Sequence, residues 1–323
     1  MMIDFFLRLY SSTNHFNIVL KCVRCDSILR FLIRWSANLI LPLYFVLSRN
    51  KIKYCSSNKL LNDRRVIVSL TSFPQRINRV WLVVENILRQ TITPDIVCLW
   101  LSKEQFQDMK KIPNNLLRLQ KYGLQIKLVD GDLRSHKKYY YAFKEFSRDL
   151  VVTIDDDLFY SSDFIYKCLQ MHIKYPHSVI ANYGYFLQYD FLGKLLPYNK
   201  WKSVFAEYRS IDELFFGSGG GTLFPVGLLY KDVLNKELFL KYCFYADDIW
   251  LNTMCYLSNT EIIIMDNSHI LLPVINLRSS SLCELNQLNS MNDLQIEGVR
   301  TYYKNLLQVD PFSKYKTCYF EKE

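Results

Sequence analysis

Between residues 64 and 183, short runs rich in Val, Ile and Leu alternate with segments of helical period, a pattern that few folds accept. "RRVIVSLTSFPQR" (64–76) opens with an apolar run over Val66 to Leu70 and turns at Pro74. Ile77, Val80, Val84, Ile87 and Leu88 then recur at helical spacing, which predicts a helix over 78–90. Further strands are predicted over 95–102, 124–132, 149–154 and 178–183, with helices over 137–147 and 162–174 between them and Gly123 as a helix C-cap. Strands alternating with helices give an α/β chain built on a mostly parallel sheet with helices on both faces. In such a sheet ligands sit beyond the carboxyl ends of the strands.

That rule directs attention to "VVTIDDDLFY" (151–160), where the fourth strand ends in three aspartates. On an extended chain Asp155 and Asp157 face one side and Asp156 the other. Two carboxylates about 4 Å apart repel by roughly 4 kcal/mol at an effective dielectric near 20, so such a pair takes up a proton or holds a cation. Hard oxygen ligands suit Mg²⁺ or Mn²⁺ shared with substrate phosphates; a solvated turn capped by aspartates is the plain alternative.

Three further stretches carry chemistry. "FGSGGGTLFP" (216–225) places four of the ten glycines within five positions, which allows close backbone approach to a ligand, or makes a flexible surface loop. The phosphate-binding pattern GxxxxGK[ST] is absent. "YADDIWLNTM" (245–254) puts Asp247 and Asp248 at the head of an apolar helix, where acidic residues also serve as ordinary caps. "SHKKYYYAF" (135–143) puts two lysines at a helix start, where the macrodipole disfavours them; a nearby anion or plain solvation accounts for them.

Residues 1–65 carry a balance of +8 and the remainder only +1, so the body is unlike a nucleic-acid-binding domain. The basic part is also apolar. "ILRFLIRWSANLILPLYFVL" (28–47) is long enough to cross a bilayer, but Arg30 and Arg34 interrupt it and Pro42 is expected to break it. It reads as an interfacial amphipathic segment, with Arg49, Lys51, Lys53 and Lys59 adding attraction to anionic headgroups; a helical hairpin packed on the body is the alternative. We therefore expect a helical extension over 1–63, a body over 64–323, and a cytoplasmic location peripheral to the inner face of the cell membrane. Nine cysteines without a framework spacing, among them a lone C-x-x-C at Cys22 and Cys25, suit reduced thiols in the cytosol.

"VSLTSFPQR", "KKYYYAF", "VVTIDDD", "GSGGGTLFP" and "ADDIWLN", in this order over about residues 64–270, resemble the GT-A-fold glycosyltransferases, close to the family-2-like enzymes of bacterial capsule and lipopolysaccharide clusters. The resemblance implies a metal-dependent transfer of sugar from a nucleoside-diphosphate sugar, UDP-linked by expectation, to a glycan or lipid-linked acceptor, with inversion. It assigns Ser69, Thr71, Arg76, Lys138, Asp155, Asp156, Gly219, Gly220 and Gly221 to the nucleotide and donor. Asp157 and Asp155, with His269 as a third ligand, are assigned to Mn²⁺ or Mg²⁺, and Asp247 or Asp248 to the catalytic base. One departure is that "SHKKYYYA" replaces the usual short basic motif before the fourth strand, which puts the diphosphate contacts in doubt. Rival classes are a nucleotidyltransferase acting on sugar phosphates, disfavoured by the absence of glycine in "TSFPQR", and a non-catalytic sugar- or lipid-surface-binding protein.

Overall fold

A computed structural model describes residues 2–13, 25–48, 64–108, 111–266, 271–276 and 291–314. Its centre is an eight-stranded sheet in the order β3-β2-β1-β4-β11-β6-β12-β9. β1 (Val66–Thr71), β2 (Ile96–Ser102), β3 (Leu124–Val129) and β4 (Leu150–Thr153) run parallel. β11 (Thr222–Pro225) is inserted antiparallel between β4 and β6 (Val179–Ala181), while β12 (Ile262–Ile264) is parallel to β6 and antiparallel to β9 (Tyr208–Ser210). The mostly parallel sheet flanked by helices expected from the alternation is present.

Alternation along each strand splits the core. Val66, Val68 and Leu70 pack with Leu150, Val152 and Ile154 on one face, under α1 (Met2–Ser12), α2 (Cys25–Leu47), α3 (Ile77–Leu88) and α6 (Phe164–Lys174). Ile67, Cys98, Trp100 and Val151 face the other way, under α5 (Lys137–Glu145), α8 (Asp247–Leu257) and α9 (Met291–Leu307). With both faces covered, the central strands β1, β2 and β4 read as nearly continuous apolar runs. A short turn, α4 (Asn114–Leu117), leads to Gly123, which takes φ +105° and ends the helical stretch as expected. The third strand stops at Val129, short of 132, because Gly131 takes φ +77° and turns the chain.

The N-terminal helices corrected one expectation. Pro42 lies inside α2, which runs unbroken over 23 residues. Proline removes one ladder hydrogen bond, but the helix is held from outside. Ile33, Ala37, Leu41 and Phe45, every fourth residue, sit in the shared core. The buried Arg89 donates to the Phe45 carbonyl (3.1 Å) and to Ser48 (3.1 Å) while pairing with Glu85 (2.6 Å), placing a cation at the helix C-terminus. Asp4 in α1 accepts hydrogen bonds from the Ser162 amide and hydroxyl, both 2.8 Å.

After β6 the chain leaves the main sheet. β7 (Gly184–Phe186), β8 (Lys202–Ser203) and β10 (Leu214–Phe216) form a small antiparallel sheet, while β9, between β8 and β10 in the chain, rejoins the main sheet beside β12 before the return along β11. The two-residue strands β5 (Leu158–Phe159) and β13 (Leu272–Pro273) pair beside the aspartate run, and α7 (Lys236–Tyr242) precedes α8.

Candidate functional site

The chain passes from β1 to β2 and β3 on one side, then returns through α5 to β4 on the other, so strand order reverses between β1 and β4. At that switch point, beyond the carboxyl ends of both strands, lies a cavity of about 590 Å³, a size typical of small-ligand sites. Because β11 runs antiparallel, the glycine loop preceding it ends at the same edge as Asp155. The Asp155 amide donates to the Gly219 carbonyl at 3.0 Å.

Lys138 joins the two acidic groups. Its Nζ lies 2.8 Å from Asp155 Oδ1 and 3.1 Å from Asp247 Oδ2. Burial opposes its charge, but Asp155, Asp247 and Asp248 raise its pKa above that of an ordinary lysine. Lys137 pairs with Asp132. The anions that explain two lysines at a helix start are therefore the protein's own carboxylates. His136 anchors this turn: its fully buried ring stacks on Phe239 (4.4 Å) and bonds the Cys243 carbonyl (2.7 Å), and burial pushes its pKa down to about 4.

The aspartate run does not alternate as an extended strand would. It enters a turn, and Asp156 and Asp157 share one cation, Arg76 Nη1, at 2.9 and 2.6 Å. Asp156, buried, also accepts from the Ser72 hydroxyl. Asp155 and Asp157 keep 42% and 31% of their side chains accessible toward the cavity. Burial, then Asp156 and Asp155, push the Asp157 carboxyl up to about 7, a rise that its partial exposure moderates.

The second acidic pair is split by its surroundings. Burial would raise Asp247, but Lys138 outweighs it, aided by a 2.6 Å hydrogen bond from the Ser218 hydroxyl, and holds this carboxyl below its usual range. Asp248 accepts the Ser218 amide at 2.7 Å. Burial, then the Asp247 charge, push it up to about 7.

Thr71, Arg76, Lys138, Asp155, Asp156, Asp157, Gly219, Gly220, Asp247 and Asp248 all line the cavity. Ser69 does not reach it: its buried hydroxyl donates to the Lys138 carbonyl and accepts from Trp100 Nε1 at 2.8 Å, fixing α5 from below. Gly221 lies behind the wall at φ +102°, where a Cβ would meet Phe164 at 2.6 Å. Gly219 makes its close approach to Asp155, within 1.9 Å of where a Cβ would be, rather than to a ligand. His269 falls outside the described residues. Sequence reasoning missed Ser72, Ser218 and Arg134, and a wall of Tyr183, Tyr185 and Tyr198. The serines stand inside motifs already singled out; the tyrosines carry no spacing that marks them.

No family model matches the chain, and no curated protein matches it. The chain is similar to many solved structures, among them the following two. The mannosyltransferase PcManGT from Pyrobaculum calidifontis, in complex with GDP-Man and Mn²⁺, is 13% identical over 87% of this chain and 77% of that one, with a TM-score of 0.45. S. aureus TarS 1-349, in complex with UDP, is 11% identical over 74% and 72%, with a TM-score of 0.42. Likenesses at this level leave the chemistry to be read from the site itself.

The donor set can be tested for a cation. Among the described residues the cavity is lined by six carboxylates, Asp132, Asp155, Asp156, Asp157, Asp247 and Asp248, against four cationic side chains, Arg76, Arg134, Lys137 and Lys138. The excess is two negative charges, and Asp155 and Asp157 are the carboxylates most open to the cavity. Hard, partly exposed oxygens in a lining with more carboxylates than cations fit Mg²⁺ or Mn²⁺. The described residues hold no ready cluster of three such ligands, so substrate oxygens and water would complete the shell.

Proposed function

We propose that the protein is a glycosyltransferase that moves a sugar from a nucleoside-diphosphate sugar, UDP-linked by preference, to a hydroxyl of a glycan or lipid-linked acceptor. The observation that carries this reading is the meeting of two acidic groups around Lys138, one open and cation-seeking, the other split into a carboxylate held ionised and one poised near neutrality.

Asp248 fits the general base, because a base works best with a pKa near the operating pH. It takes the proton from the acceptor hydroxyl as that oxygen bonds to the anomeric carbon. The bond from that carbon to the diphosphate oxygen breaks, and the nucleoside diphosphate leaves with the electron pair. A single displacement of this kind inverts the anomeric centre. Asp247, kept ionised by Lys138 and Ser218, orients the helix start that carries Asp248. Asp155 and Asp157 would hold Mn²⁺ or Mg²⁺, which when bound supplies positive charge against the departing diphosphate.

The test is release of nucleoside diphosphate from a panel of nucleotide sugars with Mn²⁺ or with EDTA. Release is expected with Mn²⁺, to be lost in EDTA and in Asp157→Asn, while the variant's melting temperature holds. Full activity in EDTA would remove the metal from the reading. A protein that neither turns over nor is thermally stabilised by any nucleotide sugar is not a transferase of this kind. Formation of a nucleotide sugar from a nucleoside triphosphate and a sugar phosphate would make it a nucleotidyltransferase.

A further inference from the structure

α1 and α2 bury one face in the core and present a second apolar face outward. Of the 22 large hydrophobic side chains exposed among the described residues, 12 lie on these two helices. Phe5, Trp35, Leu39, Leu43 and Leu47 are between 42% and 86% accessible. Monomeric soluble proteins rarely leave so many apolar side chains contiguous and uncovered. α2 is long and apolar enough to cross a membrane by length and composition. Crossing would strip Ile33, Ala37, Leu41 and Phe45 out of the core and leave the Arg89 contacts unmade. A helix fastened along one side and greasy along the other lies flat on an apolar boundary instead.

Charge selects the occupant. Residues 1–65 carry +8, and four of those cations, Arg49, Lys51, Lys53 and Lys59, follow α2 directly in sequence. Two copies docked through this face would bring two such charges together, whereas an anionic lipid surface attracts each cation by about 1 kcal/mol.

We propose that the outward face of α1 and α2 is a seat on an anionic lipid bilayer. The seat is coupled to the cavity by one residue. Asn38 of α2 donates to the Pro273 carbonyl (3.0 Å) and accepts from the Ile275 amide (2.8 Å). Between those two, the Val274 amide donates to the Asp157 carbonyl (2.7 Å), and the neighbouring Leu271 lines the cavity. The strand β13 thus runs from the lipid-facing helix to the aspartate turn, and an acceptor anchored in the bilayer would arrive beside the cavity. This deepens the transfer reading by favouring a lipid-linked acceptor, but the lipid binding itself needs no nucleotide.

The experiment is flotation of the full-length protein with phosphatidylcholine vesicles, with and without phosphatidylglycerol, in nucleotide-free buffer. The wild type is expected to float with the anionic vesicles and to be partly released by salt. Leu39→Glu combined with Leu43→Glu is expected to lower the bound fraction by about tenfold or more at unchanged melting temperature. Phe191→Glu, at a 94% exposed position on the body, should bind as the wild type does. A wild type that fails to float, a double variant that floats equally well, or a lipid-free dimer that the double variant dissociates would each overturn the proposal. None of these results touches nucleotide turnover, so this failure is distinguishable from failure of the transferase reading.

Discussion

Asp247 and Asp248 are adjacent in sequence and differ in environment, and the difference assigns their work. With its carboxyl raised to about 7 by burial and by Asp247, Asp248 is protonated on the acid side of that value. A base must be ionised, so turnover is expected to rise with pH through about 7 and to fall as pH drops below it. Asp248→Asn should abolish this limb and lower kcat by about 10²–10⁴-fold with donor affinity unchanged, as pH profiles and calorimetric donor binding would show. Gly219 supports a second test. A Cβ there would fall 1.9 Å from the Asp155 carboxylate, which can rotate away. Gly219→Ala should therefore cost the site more than the fold: Mn²⁺ and nucleotide affinity should drop while melting shifts by an amount in keeping with roughly 1–3 kcal/mol of overpacking. The aspartates were legible in the sequence because they end a buried apolar run. Their cations and donors were not. Arg76 and Ser72 reach Asp156 across 80 and 84 positions, and no local pattern records such a pairing.

At the scale of elements, the central strands β1, β2 and β4 follow from their apolar runs because both sheet faces are buried around them, while the edge strand β3 keeps polar residues such as Gln125 and Lys127. α2 shows where such reasoning fails. Locally, two arginines and a proline argue for interruption, yet the helix continues because α3 and β13 hold it. The Asn38 clasp spans 235 and 237 positions and is invisible to any window. Asn38→Ala removes both hydrogen bonds and leaves two backbone groups of 271–276 short of a partner. A loss of about 1–3 kcal/mol is expected in denaturant unfolding. Nucleotide affinity should weaken as well, because Val274 bonds the carbonyl of Asp157. Unchanged values of both would show that the clasp holds nothing in place.

For the whole molecule, the core shared between the N-terminal helices and the sheet decides what truncation does. Charge division in the sequence marks residues 1–63 as an extension to the body, and within it Leu41 and Phe45 are as buried as the strands they cover. Phe45→Ala is expected to destabilise by about 3–5 kcal/mol. Removal of residues 1–60 should uncover the face of α3 and α6, giving a protein that aggregates or melts well below the wild type in calorimetry. A truncated chain with wild-type melting would show that the body stands without these helices.

The excursion between β6 and β11 has a consequence of another kind. It departs at Asn182 and returns at Thr222, both ends pinned in the main sheet, where Asn182 bonds Gly221 and Thr222 pairs with Thr153 and Ala181. Within it lie Tyr183, Tyr185, Tyr198 and Phe215, four of the six aromatic residues lining the cavity, whereas Asp155, Asp157, Lys138 and Asp248 all lie outside it. The carboxylates and Lys138 thus lie on other stretches of chain than these aromatic rings, and the glycine loop that closes the excursion joins the two, with Ser218 bonded to Asp247 and Asp248 and Gly219 to Asp155. Under the transferase reading, lineages could exchange the stretch from 183 to 216 and inherit new acceptors while the glycine loop and the reactive carboxylates stayed in place, and a chimera grafted at 182 and 217 would keep its donor while changing what it glycosylates.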